Sequence, residues 1–203
     1  MEGSIPIKES KIWDVAAFSI EKGCKLCIHS ESGGGKSSLL SFIYGNRADY
    51  VGKILFNRTN IKDFTIPEWC EIRRRHIALL PQEMRLFPEL TVLDNIQLKN
   101  NLSGWKTVKE IEGMLTDLGV ADKLNTPVAK LSIGQQQRVA IVRTLCQPFD
   151  FIFLDEPVSH LDETNNKIVA ELVDSEAKKN NAGIITTSVG NHLLLDSPQF
   201  VNL

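Results

Sequence analysis

The sequence predicts an α/β fold with buried strands, and three observations carry that prediction. Short apolar runs at 25–28, 77–80, 151–154 and 183–187 alternate with longer stretches whose apolar residues recur at helical spacing. The first run feeds directly into Ser30-Glu31-Ser32-Gly33-Gly34-Gly35-Lys36-Ser37-Ser38, after which Leu39, Leu40, Phe42 and Ile43 mark a helix. The third run ends in Asp155-Glu156-Pro157, so two carboxylates stand at the end of a buried strand.

The chain has 203 residues, 42% of them hydrophobic and 24% charged, enough to bury a core as one domain over residues 1–203. A net charge of −2 argues against a protein whose main affinity is for the nucleic acid backbone, so no nucleic acid partner is expected. No apolar run approaches the roughly 20 residues of a membrane-spanning helix, and the first residues lack the layout of a signal peptide. These features predict a soluble, cytosolic protein. Cys24 and Cys27 have the C-x-x-C spacing that raises metal or redox chemistry. On a strand, however, residues i and i+3 face opposite ways, and no second Cys/His pair accompanies them. With Cys70 and Cys146 they read as four free, buried or half-buried thiols.

In order, residues 5–28 read as the lead-in to a sheet, with Trp13, Val15, Phe18 and Ile20 mostly alternating before a turn at Glu21-Lys22-Gly23. The three glycines at 33–35 let the backbone curl and aim several N–H groups inward at the positive end of a helix. Lys36 adds a full charge for β- and γ-phosphates, and the Ser37 hydroxyl suits Mg²⁺, so the loop reads as a triphosphate cradle. It departs once from G-x-x-x-x-G-K-[ST], with Ser30 in place of the first glycine, and Ser tolerates φ > 0 less easily than Gly. Residues 52–57 then read as a strand entering a turn. Residues 67–76 read as a short helix carrying Arg73-Arg74-Arg75, a solvated helix end.

Gln82 follows Ile77-Ala78-Leu79-Leu80, just past a strand's carboxyl end, where α/β proteins hold ligand-facing groups. Residues 83–130 become helical and amphipathic, notably at 92–102 and 108–118. Ser132 and Gln135 have capping-box spacing and start a helix that runs to about Cys146. That helix start is either a simple cap or a second phosphate-facing N-terminus; spacing alone leaves both open. After the strand at 151–154, Asp155 suits Mg²⁺ and Glu156 suits an attacking water. His160 and Asp162 lie in a loop, a helix covers 163–178, and 183–187 is the last buried strand before the chain ends without an appended domain.

This ordered series resembles the nucleotide-binding subunit of an ATP-binding cassette (ABC) transporter, over nearly the whole chain. Residues 30–38 match the Walker A loop and Gln82 the Q-loop glutamine. Leu131-Ser132-Ile133-Gly134-Gln135-Gln136-Gln137-Arg138 matches the signature that normally reads LSGGQ. Residues 151–156 match Walker B with its catalytic glutamate, and Ser159-His160-Leu161-Asp162 the D-loop. Residues 135–143 also resemble the small cassettes of the lipoprotein-releasing and macrolide-exporter group.

The resemblance implies a P-loop NTPase with a RecA-like core, a small antiparallel β region and a helical subdomain at roughly 83–140. It implies an ATPase that uses ATP and Mg²⁺ and couples nucleotide-driven dimerisation to a separate integral-membrane permease. The subunit would then sit peripherally on the inner face of the cell membrane. Glu156, Gln82 and Ser188 would serve catalysis, and Ser37, Gln82 and Asp155 the metal. Nucleotide would contact Ser30, Glu31, Ser32, Gly33, Gly34, Gly35, Lys36, Ser37 and Ser38. In a head-to-tail homodimer or paired cassette, Ser132, Gly134, Gln135 and Asp162 would close over the partner's nucleotide.

Four departures from the family pattern predict slow hydrolysis or weak base selectivity, with ATP binding retained. Ser30 replaces a glycine, and Ile133 puts a β-branched side chain where the signature has its first glycine. Ser188 stands where the switch histidine belongs, and the nearby His192 reads as a surface residue. Upstream, no aromatic residue stands where adenine stacks: Ile7 is near that place, and Trp13 comes later and reads as core-facing. The alternative is a hydrolysis-impaired, nucleotide-switched binding module. A soluble DNA-repair or translation ATPase fits worse, since the interval from Ser37 to Leu131 is too short for a coiled-coil insertion and the chain holds one cassette.

Overall fold

The computed structural model describes residues 18–203. Ile7, Trp13 and Val15 lie outside the described residues. Residues 18–20, expected to alternate as strand, form no regular element, and Phe18 is exposed.

Among the described residues a five-stranded, all-parallel sheet carries the fold, in the order β4-β5-β6-β1-β7. Its strands are β1 (Lys25–His29), β4 (Ile77–Leu80), β5 (Phe151–Asp155), β6 (Gly183–Ser188) and β7 (Gln199–Asn202). A separate antiparallel hairpin pairs β2 (Leu55–Phe56) with β3 (Thr59–Asn60). The strand expected over 52–57 is thus only two residues long. Asn57 and Arg58 both take left-handed backbone, the conformation that closes a two-residue hairpin, and this ends pairing at once.

The sheet also does not stop at 183–187: β7 adds a parallel edge strand on β1. It is held by ladder hydrogen bonds more than by burial, for Phe200 is exposed. A strand with so little apolar pattern carries no signal of its own.

Alternation along the strands splits the core in two. Leu26, Ile28, Ile77, Phe153 and Ile185 face α1 (Lys36–Ile43) and α2 (Ile66–Arg75). Ala78, Leu80, Ile152, Leu154 and Ile184 face the larger cluster, built with α3 (Val92–Asn100), α4 (Val108–Asp117), α5 (Ile133–Leu145) and α6 (Glu163–Asn180). Each helix from α2 to α5 begins with a reciprocal capping box: Thr65/Glu68, Thr91/Asp94, Thr107/Glu110 and Ser132/Gln135. Such caps contribute about 1 kcal/mol each and set where a helix starts.

α2 turns Trp69, Ile72 and Arg73 inward, which leaves Cys70 exposed rather than half-buried as expected. Arg73 donates to the carbonyls of Tyr44 and Gly45 at 3.1 and 3.0 Å, so it closes the end of α1 instead of facing solvent. Cys27 and Cys146 are buried, and burial pushes the Cys146 thiol up to about 12. His192 is half-buried, packing edge-on against Phe200 at 5.2 Å, where a surface position was expected. No helix among the described residues is long and apolar enough to cross a membrane.

One buried ion pair ties the loop before α4 to α6: Lys106 Nζ lies 2.7 Å from Glu176 Oε2, with side chains 7% and 3% exposed. Burial pushes the Glu176 carboxyl up, but hydrogen bonds from Lys106 and Lys179 outweigh it and leave the pKa lowered. Lys106→Met should therefore cost about 3 kcal/mol in urea unfolding near neutral pH, because a buried charge loses its better partner. A group with a depressed folded pKa stabilises above its unfolded pKa and loses that contribution as pH falls through the folded one. The gap between wild type and Lys106→Met should therefore narrow only in acid, below the ordinary glutamate range.

Candidate functional site

The carboxyl ends of the parallel strands gather the chemistry at one edge of the sheet. β1 runs out into residues 30–35 and then α1, whose N-cap Gly35 has φ 95°. Gly33 has φ 81°, so the two left-handed bends of the loop fall on glycines. Ser30 is not among the left-handed residues, so the first bend needs no glycine, contrary to the concern its substitution raises. Its N–H donates to the Ser188 carbonyl at 3.3 Å, and its hydroxyl to the Glu31 carbonyl at 3.2 Å.

The cost of Ser30 falls on residue 34. A Cβ on Gly34 would lie 1.7 Å from Ser30 Oγ, 3.0 Å from Ser30 Cβ and 3.1 Å from the Glu31 carbonyl. The middle glycine thus makes room for the side chain that the first position gained.

Lys36 is buried, and its ammonium donates back across the loop to the carbonyls of Ser30 at 3.0 Å and Glu31 at 3.2 Å. It also lies 3.8 Å from Glu156 Oε1, which joins the loop to the end of β5. Ser37 and Ser32 are exposed, and Ser38 accepts from Arg47 Nη1 at 3.1 Å.

Asp155 pairs in register with Thr187, and the Thr187 hydroxyl donates to Asp155 Oδ1 at 2.6 Å. The same hydroxyl accepts from the Glu156 N–H at 3.1 Å, where Glu156 takes φ 49°. A left-handed non-glycine costs on the order of 1–3 kcal/mol and persists only where its surroundings hold it. Gln82 lies exposed in the turn two residues beyond Leu80, as Glu156 lies two beyond Leu154, the register partner of Leu80.

Ser132, Gly134 and Gln135 stand apart from the phosphate loop, at the N-terminus of α5. The Ser132 N–H donates to Gln135 Oε1 at 2.9 Å, and the Gln135 N–H to Ser132 Oγ at 3.3 Å. Ile133 takes ordinary helical backbone with its side chain half exposed, so a β-branched residue is accommodated in this chain. Gly134 is the constrained position, since a Cβ there would sit 2.9 Å from the His160 carbonyl. Asp162 caps α6, accepting from the Asn165 N–H at 2.8 Å, a bond that lowers its pKa.

Four further residues escape the sequence reading. Thr187 and His29 take their places from strand pairing, and His29 is the register partner of Ser188, with Nδ1 3.3 Å from Ser188 Oγ. Gln137 donates to the Glu156 carbonyl at 3.2 Å and accepts from the His160 N–H at 3.1 Å. Arg143 donates to the carbonyls of Met84 and Arg85, two left-handed residues just after Gln82. Only the glutamine-rich run from 135 to 137 offered any local signal.

Residues 14–159 match the family model described as ABC transporter. The chain is 33% identical over 175 residues to the ABC transporter ATP-binding protein YtrE of Bacillus subtilis (strain 168), covering 85% of this chain and 74% of that protein. It is likewise 33% identical over 175 residues to the lipoprotein-releasing system ATP-binding protein LolD of Legionella pneumophila (strain Lens), covering 84% and 77%. A solved dimer of the ATP-binding cassette MJ0796, in a post-hydrolysis state with ADP and Pi, superposes with a TM-score of 0.73 at 27% identity, covering 86% of this chain and 78% of that one.

The steric exchange between residues 30 and 34 is open to a double-mutant test. Gly34→Ala should weaken nucleotide affinity about tenfold by overpacking the loop, read by titration with a fluorescent nucleotide. Adding Ser30→Gly should restore most of that loss, leaving only the tight approach to the Glu31 carbonyl.

Proposed function

The chain belongs to the ABC transporter family, and from that premise we propose how its residues divide the work. It is the ATP-binding, ATP-hydrolysing subunit of a transporter, a P-loop cassette that functions through nucleotide-driven dimerisation. Residues 83–140 serve as the helical subdomain within a single cassette, and the cassette docks on an integral-membrane permease at the inner face of the membrane.

One observation supports the catalytic assignment above the others: the Lys36 ammonium lies 3.8 Å from the Glu156 carboxylate. It joins the half of the site that binds phosphate to the half that handles water. The loop N–H groups and Lys36 hold the β- and γ-phosphates of ATP. Glu156 accepts a hydrogen bond from the attacking water and orients it in line. Thr187 keeps Asp155 and Glu156 in separate roles by engaging one carboxylate and the other's backbone.

The residues also fit Mg²⁺. Asp155 spends one carboxylate oxygen on Thr187 and keeps the other without a hydrogen bond among the described residues, and the Ser37 hydroxyl is exposed. One carboxylate and one hydroxyl, completed by water and phosphate oxygens, is a donor set that Mg²⁺ accepts. When bound, the ion would neutralise charge on the phosphates. Gln82 completes that side of the site. In a head-to-tail pair, Ser132, Gly134 and Gln135 present the positive end of α5 to the partner's nucleotide, and Asp162 holds the neighbouring loop.

Steady-state phosphate release with Mg-ATP, beside Glu156→Gln, tests this reading. Wild type should turn over, and Glu156→Gln should lose at least about a hundredfold while still binding ATP and accumulating as dimer. Turnover unaffected by Glu156→Gln would overturn the assignment. ATP-dependent dimers with no turnover in either protein would favour the nucleotide-switched module that Ser188 suggests.

A further inference from the structure

The place where a switch histidine is expected holds Ser188, yet an imidazole stands directly beside it. β1 and β6 pair in parallel with His29 opposite Ser188, and His29 is the last residue before the phosphate loop. We propose that His29 is the phosphate-contacting imidazole of this ATP site, and that Ser188 is its positioning residue. The function has moved one strand across the sheet rather than been lost.

The hydrogen bonds around Ser188 tie the ends of the two strands together. Ser188 is 2% exposed, and its hydroxyl is engaged by two neighbours on β1. Its Oγ lies 3.3 Å from His29 Nδ1 and 3.7 Å from the sulfur of Cys27, which is buried two residues earlier on β1. Donors and acceptors match in either direction along Cys27, Ser188 and His29; in the proposed direction Cys27 S–H donates to Ser188 Oγ and the Ser188 O–H donates to His29 Nδ1. The imidazole proton then sits on Nε2, which has no hydrogen-bond partner among the described residues. With its other nitrogen held by a hydrogen bond, the Nε2–H is a ready donor. Ser188 also holds the loop that the donor would serve, through its carbonyl and the Ser30 N–H at 3.3 Å. One strand end thus fixes both the imidazole and the start of the phosphate cradle. Cys27, placed by the same pairing, gains a role as the first donor of the relay.

The inference rests on the ATPase reading above, and the test separates the two. kcat and KM for Mg-ATP would be compared in wild type, His29→Val, Ser188→Ala and the double variant His29→Val/Ser188→His. His29→Val should lower kcat at least about tenfold with KM changed less than about twofold, since ground-state ATP binding belongs to the loop. Ser188→Ala should lower kcat less, and the double variant should regain most of it by restoring an imidazole at the paired position. Wild-type kcat in His29→Val would overturn the inference while leaving the ATPase reading intact.

A second readout does not depend on turnover. In Glu156→Gln with ¹⁵N-labelled histidine, His29 should show Nε2–H in the free protein and an Nε2 shift with Mg-ATP that Mg-ADP does not produce. Identical His29 spectra with the two nucleotides would overturn the inference even if the protein folds and binds ATP. If wild type shows no Glu156-dependent turnover, the ATPase reading falls, and the spectra alone decide whether His29 senses the terminal phosphate.

Discussion

One buried hydroxyl governs the order of this site. Thr187 Oγ1 donates to Asp155 and accepts from the N–H of Glu156. With that donor satisfied, Glu156 can leave the β5 ladder in a left-handed conformation that an acidic residue otherwise adopts reluctantly. The chain therefore turns at Glu156, and the carboxylate comes to lie against Lys36 instead of continuing the strand. Neither acid is free to exchange roles with the other. Because Thr187 is 1% exposed, its hydroxyl faces little competition from water, which strengthens both bonds.

The departures from the expected pattern are absorbed locally. Ser30 needs no left-handed backbone, and its side chain occupies space that Gly34 leaves open. Ile133 begins a helix whose glycine requirement lies one residue later, at the close approach of Gly134 to the His160 carbonyl. A motif position thus carries two separable demands, a backbone angle and a volume. Consensus letters merge them. In this chain the angle falls on Gly33 and Gly35, while the volume can pass between 30 and 34.

What was legible in the sequence was local. The apolar runs, the glycine loop and the capping box at Ser132 each encode their structure within a few residues, and they appear where their patterns predict. What was not legible depended on strand order. Thr187 and Asp155, like His29 and Ser188, are neighbours only because β6 lies between β5 and β1, an arrangement that no residue pattern states. β7 was missed for a related reason, since its place comes from pairing with β1 and its side chains are largely exposed. Cys70 and His192 were misjudged because burial follows from which helix face or edge strand happens to be covered.

Helix α5 shows why the distant parts of the site cannot move independently. Its N-terminus presents Ser132 and Gly134 at the surface, while Gln137, one turn later, is 3% exposed and bridges the Glu156 carbonyl and the His160 N–H. Two turns further on, Arg143 reaches the carbonyls of Met84 and Arg85, past Gln82. Desolvation lowers the Arg143 pKa, yet the guanidinium stays charged and so must keep those carbonyls as partners. A rigid helix bonded at both places couples them: a tilt that moves Ser132 also pulls on the backbone of Glu156 and on the turn beyond β4. The Glu156 backbone, the turn after Gln82 and the N-terminal surface of α5 are thus fixed to one lever, whose stiffness comes from ordinary helical hydrogen bonds.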